Sequence, residues 1–296
     1  MVRGRPLDAE GPKPAPTRGP LVAIGGAEDK VGDRKVLSRV VELAGGPGAV
    51  IAVLPVASMI PGQLAATYES IFESFGATVR IVRVRTRADA DSPEVLATLD
   101  GASAAFFTGG AQGRIVTLLG GTKLAQKIRR AHRAGLVVAG TSAGASALCN
   151  HMIAQGRAGY APHRQSVTMA PGLGLTKRLV VDQHFGQRHR IGRLFAAVAL
   201  NPYLMGVGID EDTAMILDAK NRVEIIGNGT VTIVDGGRIL HTDIHEVADD
   251  RPAALLGLSV HVLTSGHGFD VETRVPTWPE GPEWIAAPRP SPEPHH

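Results

Sequence analysis

From Leu21 onward, short runs in which nearly every residue is apolar alternate with longer stretches of mixed polarity. The apolar runs are LVAI at Leu21–Ile24, AVIAVLPV at Ala49–Val56, TVRIVRV at Thr78–Val84, AAFFTGG at Ala104–Gly110 and LVVAGTSAG at Leu136–Gly144. Between them lie polar segments of helical length, of which Arg114–Ala134 is the clearest. Strands that are apolar at every position are buried on both faces, the condition of a parallel sheet covered by helices. The pattern therefore predicts an α/β fold: flavodoxin-like, with a mostly parallel central sheet and helices on both faces. Further along, RVEIIGNGTVTIVDGGRIL alternates β-branched residues around Asn228-Gly229 and Gly236-Gly237, which predicts antiparallel hairpins closing one edge toward the C-terminus.

Proline use sets the boundaries. Of the 20 prolines, five lie in residues 1–20 and seven in residues 275–296. Such ends lack periodic apolar positions and cannot offset the entropy of ordering. The expected organisation is a flexible Pro-rich extension over 1–19, a single α/β serine-hydrolase domain over 20–274, and a second Pro-rich extension over 275–296. Trp278 and Trp284 both lie in that last segment, which suggests that it packs in part on the body or on a partner subunit.

Composition narrows the classes. With 31 Lys plus Arg against 28 Asp plus Glu, the net charge of +3 argues neither for nucleic acid nor for an acidic membrane surface. No run approaches the roughly 18 apolar residues of a membrane span, and the N-terminus lacks the apolar stretch of a secretory signal. One cysteine excludes an intrachain disulfide and a cysteine-rich zinc module. A cytoplasmic protein is expected. The 11 histidines form no recognisable ligand cluster, so neither metal nor cofactor is expected.

Gly140-Thr141-Ser142-Ala143-Gly144 joins an apolar strand to a small-residue stretch that can begin a helix. This is the context of a nucleophile elbow: glycines flank a sharp turn, Ser142 stands exposed above the sheet, and the Ala143 amide can point at a developing oxyanion. The bland reading is a tight connection with a serine N-cap. Gly109-Gly110 follows another strand, so Gly110 can supply a second oxyanion amide, with Gln112 facing the same crevice. A serine needs a base, and LVVDQHFGQRHRIGRL ends a strand at Asp182-Gln183-His184, making His184 the best candidate. Arg188, Arg190 and Arg193 follow, a run that serves either as a solvated face or as a carboxylate site. Glu211, with Asp210 second, is the candidate to orient the histidine. Cys149 reads as a small buried hydrophobe.

IGGAEDK at Ile24–Lys30, FFTGGAQ at Phe106–Gln112, GTSAGAS at Gly140–Ser146, DQHF with the spaced arginines at Asp182–Leu194, and GIDEDTA at Gly208–Ala214 together resemble the cyanophycinase family. This is the serine-peptidase branch of the class I glutamine-amidotransferase-like fold, which also contains aspartyl dipeptidase. The resemblance implies an exo-acting serine peptidase that releases β-aspartyl-arginine from cyanophycin, a poly-aspartate whose β-carboxyls carry arginine. It implies Ser142 as nucleophile, His184 as base, and Gln112, Asp182, Gln183, Arg188, Arg190 and Arg193 as the substrate pocket, with Asp182 facing the substrate arginine. It also implies a homodimer. Ala111 stands where the family commonly has an acid, and His151–Tyr160 lacks an acid that relatives often carry. Two alternatives stand beside this reading: a dipeptidase acting on isoaspartyl or aspartyl peptides, and a non-catalytic carboxylate-binding protein.

Overall fold

The strands at Leu21–Ile24, Val50–Leu54, Ala104–Phe107 and Val137–Thr141 are buried at almost every position because helices cover both sides of the sheet they form, whereas the edge strand at Thr78–Ile81 is only partly covered. The structure, a computed structural model, describes residues 17–249 and 251–279. Its first half runs β1 (Leu21–Ile24), α1 (Lys35–Leu43), β2 (Val50–Leu54), α2 (Pro61–Ser74), β3 (Thr78–Ile81), α3 (Pro93–Ala97), β4 (Ala104–Phe107), α4 (Gln112–Leu119), α5 (Lys123–Arg133), β5 (Val137–Thr141) and α6 (Ala143–Ala147). The second half runs β6 (His151–Gly156), β7 (Val167–Pro171), β8 (Leu179–Gln183), α7 (Ile191–Leu200), β9 (Met205–Ile209), β10 (Thr213–Leu217), β11 (Arg222–Gly227) and β12 (Val231–Asp235). It closes with β13 (His241–Thr242), β14 (Leu255–Leu256), β15 (Ser259–Leu263), β16 (Gly268–Asp270) and β17 (Val275–Thr277).

A nine-stranded sheet in the order β17-β16-β11-β10-β1-β5-β4-β2-β3 forms the centre. The five strands of the first half are mutually parallel, and β10, β11, β16 and β17 extend them antiparallel from the β1 edge. Side chains alternate across it with the period of two that a strand imposes. Ala104 and Phe106 join Tyr68 and Phe72 on one face, while Ala105 and Phe107 join Ile115, Leu119 and Ile128 on the other. A second, four-stranded sheet, β15-β12-β9-β8, packs against α7 through Leu194, Val198 and Val234. Its β8 and β9 are parallel, so Gln183 and Ile209 reach the same end together.

Three expectations need adjustment. The segment Arg114–Ala134 is two helices, broken at Gly120-Gly121, where Gly121 takes φ 80° and the Thr122 side chain caps α5. Asn228-Gly229 is not a hairpin turn: β11 pairs with β10 and β16, whereas β12 pairs with β9 and β15. That dipeptide carries the chain from one sheet to the other. Gly236-Gly237 likewise leads not into a partner of β12 but to β13, which pairs with β14. The central sheet also continues past residue 274, because β17 pairs with β16 and its neighbour Trp278 stays half exposed. Residues 1–16 and Trp284 lie outside the described residues.

Candidate active site

Ser142 occupies the single position between β5 and α6, at φ 53° and ψ −112°. Side-chain-bearing residues seldom adopt this region, and holding one there costs on the order of 1–3 kcal/mol. The two glycines around it are steric necessities. A Cβ on Gly140 would stand 2.5 Å from the Gly144 carbonyl carbon, and one on Gly144 2.5 Å from the Phe107 oxygen. The serine amide donates to the Ile24 carbonyl at 2.9 Å, fastening the turn to β1. Its side chain makes no helix-capping bond. Instead Oγ lies 2.9 Å from His184 Nε2.

His184 is the first residue beyond β8, and its φ of 45° turns the ring back over the sheet end. The ring lies directly on Gly26. A Cβ at that glycine, itself at φ 97°, would fall 2.4 Å from Cε1 and 2.5 Å from Nε2. On its other side, Nδ1 is 2.6 Å from Glu211 Oε1. An ionised carboxylate only accepts, so Nδ1 carries the ring proton and Nε2 turns its lone pair to the serine hydroxyl. The three consecutive acids divide the work. Asp210 accepts from the Gly186 amide (2.8 Å) and from both the amide (3.0 Å) and hydroxyl (2.7 Å) of Thr230. Asp212 accepts from the Asp29 amide (2.8 Å) and Asn228 Nδ2 (2.6 Å). Glu211 alone faces the imidazole.

A cleft of about 680 Å³ opens beside Ser142, lined in part by Gly110, Gln112, Gln183, Arg188, Arg190 and Arg193. Gln112 Nε2 donates to the carbonyls of Ile153 and Ala154, and its Oε1 accepts from Gln183 Nε2 at 3.3 Å. Gln183 Oε1 in turn is 3.3 Å from Ser142 Oγ. Gly110 is forced by the turn that follows β2, since a Cβ there would lie 2.2 Å from the Ala57 oxygen. The placement of Asp182 corrects the expectation from sequence. Its side chain is 1% exposed, and its carboxylate is taken up by Arg193 Nε (2.6 Å), Arg193 Nη2 and Arg190 Nη1 (3.2 Å). It does not face a substrate guanidinium; it holds two arginines in place. Burial brings the Arg190 guanidinium down to about 10, still cationic near neutrality. Arg188 is exposed, and among the described residues lining the cleft there is no carboxylate.

The motif at Ile24–Lys30, to which sequence reasoning assigned no role, is the loop that holds these parts together. Ile24 accepts from Ser142 N, Gly25 accepts from His184 N at 2.8 Å, and Gly26 accepts from Asp212 N at 2.9 Å. Behind the serine, the buried Glu28 accepts from Thr141 Oγ1 at 2.6 Å and from the Tyr68 hydroxyl, with Lys30 Nζ at 3.2 Å. Burial and the adjacent Glu28 charge push the Tyr68 phenol well above its usual range, so it remains a donor. The signal was present as a charged residue just beyond an apolar strand and a glycine pair. Its partners stand far away in the chain.

Cys149 is fully buried and its thiol is pushed up to about 12, unsuited to serve as a nucleophile. Among the described residues no group of three or more His, Cys, Asp or Glu is placed to hold a metal ion. No helix among them is long and apolar enough to cross a membrane. Because Glu28 is buried, removing one of its donors is expected to destabilise the protein. Tyr68→Phe should lower the unfolding free energy by about 1–3 kcal/mol, read from urea denaturation. An unchanged midpoint and slope would show that the carboxylate does not need the phenol.

A model of peptidase family S51 matches residues 21–225. Cyanophycinase from Trichormus variabilis is 41% identical over 263 residues, covering 88% of this chain and 88% of that protein. Cyanophycinase from Geminocystis herdmanii is 41% identical over 261 residues, covering 88% and 96%. The crystal structure of a peptidase from an acI-B1 actinobacterium covers 86% of this chain and 98% of that one, with a TM-score of 0.65 at 23% identity, a likeness of fold. The family match takes in β1, the elbow, the strand-end histidine and the acidic turn after β9, and the chain is a serine-type exopeptidase belonging to peptidase family S51.

Proposed function

We propose that the protein hydrolyses cyanophycin from a chain end, releasing β-aspartyl-arginine through an acyl-enzyme on Ser142. The observation that carries this reading is the line Glu211, His184, Ser142, at 2.6 and 2.9 Å, opening into an arginine-lined cleft in a chain 41% identical to cyanophycinases. Ser142 Oγ attacks the scissile carbonyl while His184 Nε2 takes its proton; the same nitrogen then protonates the leaving amine. Glu211 fixes the tautomer and stabilises the imidazolium. Water reverses the sequence and frees the dipeptide. The amides of Gly110 and Ala143 receive the oxyanion, a role suited to the end of a sheet where β4 and β5 both give way to helices.

The polymer presents a free α-carboxylate on each attached arginine. Arg188, Arg190 and Arg193 suit those carboxylates, with Gln112 and Gln183 fixing the approach to the serine. We place the enzyme in the cytoplasm as a single α/β hydrolase domain between Pro-rich extensions, a location to which one buried cysteine is suited. A homodimer accounts for Val260 and Val262, exposed on the edge strand β15.

Purified cyanophycin incubated with the wild-type protein should yield β-aspartyl-arginine by mass spectrometry. Ser142→Ala should lose roughly 10⁴-fold or more in kcat. Equal rates for the two proteins would reject the mechanism, and a folded wild type without product would reject the substrate. Gly26→Ala tests the seat of the histidine. The added methyl displaces the ring, so kcat should fall on the order of 10²-fold with KM little changed. Undiminished turnover would show that the ring does not depend on that glycine.

A further inference from the structure

At the opposite end of the strands from Ser142, a cavity of about 340 Å³ lies among the segments that enter β1, β5 and β8. Among the described residues its wall carries five cationic side chains, Arg18, Arg129, Arg133, Lys177 and Arg178, against one carboxylate, Glu272. That carboxylate is already engaged, by Arg178 Nη1 at 2.5 Å and Asn221 Nδ2 at 2.7 Å. The whole chain has a net charge of only +3, so this concentration is local. Arg133 belongs to the last turn of α5, where a cation complements the helix dipole. That account does not extend to Arg18, Lys177 and Arg178, which come from other segments. Like charges gathered in a concave site repel one another until an anion joins them.

Two side-chain atoms of residues lining this wall are buried without a partner among the described residues: Arg18 Nε and His132 Nε2. His132 is 2% exposed, and its Nδ1 lies 3.0 Å from the Leu136 carbonyl. Nδ1 therefore donates, which leaves Nε2 of this cavity-lining residue without a partner among the described residues. Burial and the charges of Arg18 and Arg133 hold the imidazole below its usual range. Buried polar atoms are rarely left unpaired in folded proteins. An oxyanion answers both: its oxygens accept from Arg18 Nε, and its hydroxyl, or a proton gained by the imidazole beside the new negative charge, pairs Nε2.

We propose that this cavity binds a small oxyanion, carboxylate or phosphate, held by Arg18, Arg129, Arg133 and Lys177 with His132 behind it. The site is separate from the cleft beside Ser142 and does not depend on the reaction assigned to that cleft. Arg133 and Lys177 are exposed, so replacing them leaves the core untouched.

Thermal unfolding and calorimetric titration of the full chain with inorganic phosphate and with L-aspartate, each against sodium chloride of equal ionic strength, test it. At least one of the two should give a saturable calorimetric isotherm and raise Tm, by a few degrees near 100 times its Kd. The double variant Arg133→Ala/Lys177→Ala should weaken that binding at least about 10-fold, whereas Arg188→Ala, in the cleft, should not. A response to phosphate alone assigns a phosphate ligand, and a response to aspartate alone a carboxylate. The proposal is overturned if neither gives a saturable isotherm, if the double variant binds as the wild type does, or if Arg188→Ala abolishes the effect.

Discussion

The contact between β5 and α6 across Gly140 and Gly144 is the constraint on which the candidate active site rests. Ser142 stays at φ 53° because strand and helix touch there at backbone distance, and any Cβ would drive them apart. The strain, on the order of 1–3 kcal/mol, is sustained by surroundings that offer no relaxed alternative. β5 is buried at every position and paired on both sides, by β1 and β4. Thr141 is pinned from beneath by Glu28, and the serine amide from the side by Ile24. What results is a hydroxyl presented above the sheet with little freedom to turn away.

The loop after β1 extends this constraint to the other two members of the relay. Ile24, Gly25 and Gly26 present successive carbonyls to the amides of Ser142, His184 and Asp212, the last being the neighbour of Glu211. Three residues from three separate strand ends are thus referred to one short stretch of backbone. The ring of His184 rests on the bare Cα of Gly26, which sets its height above the sheet. Geometry of this kind is what lets a relay of weak groups act together, because misplacement by an ångström costs orders of magnitude in rate. Asp182 plays the corresponding part for the cleft, fixing Arg190 and Arg193 from below.

Much of this is legible along the chain because it is local. Apolar runs disclose buried parallel strands, and the G-x-S-x-G spacing discloses a turn whose flanking residues must lack side chains. A histidine at a strand end followed by arginines suggests a base beside an anion site. What is not legible depends on which segments meet. The alternation around Asn228-Gly229 is the same whether the two strands pair or separate, and here they join different sheets. Asp182 has the chemistry to receive a guanidinium, and only its burial shows that the chain's own arginines have taken it. The acids at 210, 211 and 212 are alike in sequence; hydrogen bonds from Gly186, Thr230, Asp29 and Asn228 leave the middle one to the histidine. Gly26 and Glu28 stand in a recognisable segment, yet their partners emerge only when residues distant in the chain come together.

The central claim is that His184 activates Ser142, and a phosphonylating reagent reads that activation without any substrate. A fluorophosphonate forms one P–O bond to an activated serine and loses fluoride, leaving an adduct that peptide mapping locates. A single adduct is expected, on Ser142, formed at least about 10²-fold more slowly in His184→Ala. An adduct on another residue with Ser142 unmodified, or equal rates in the two proteins, would contradict it.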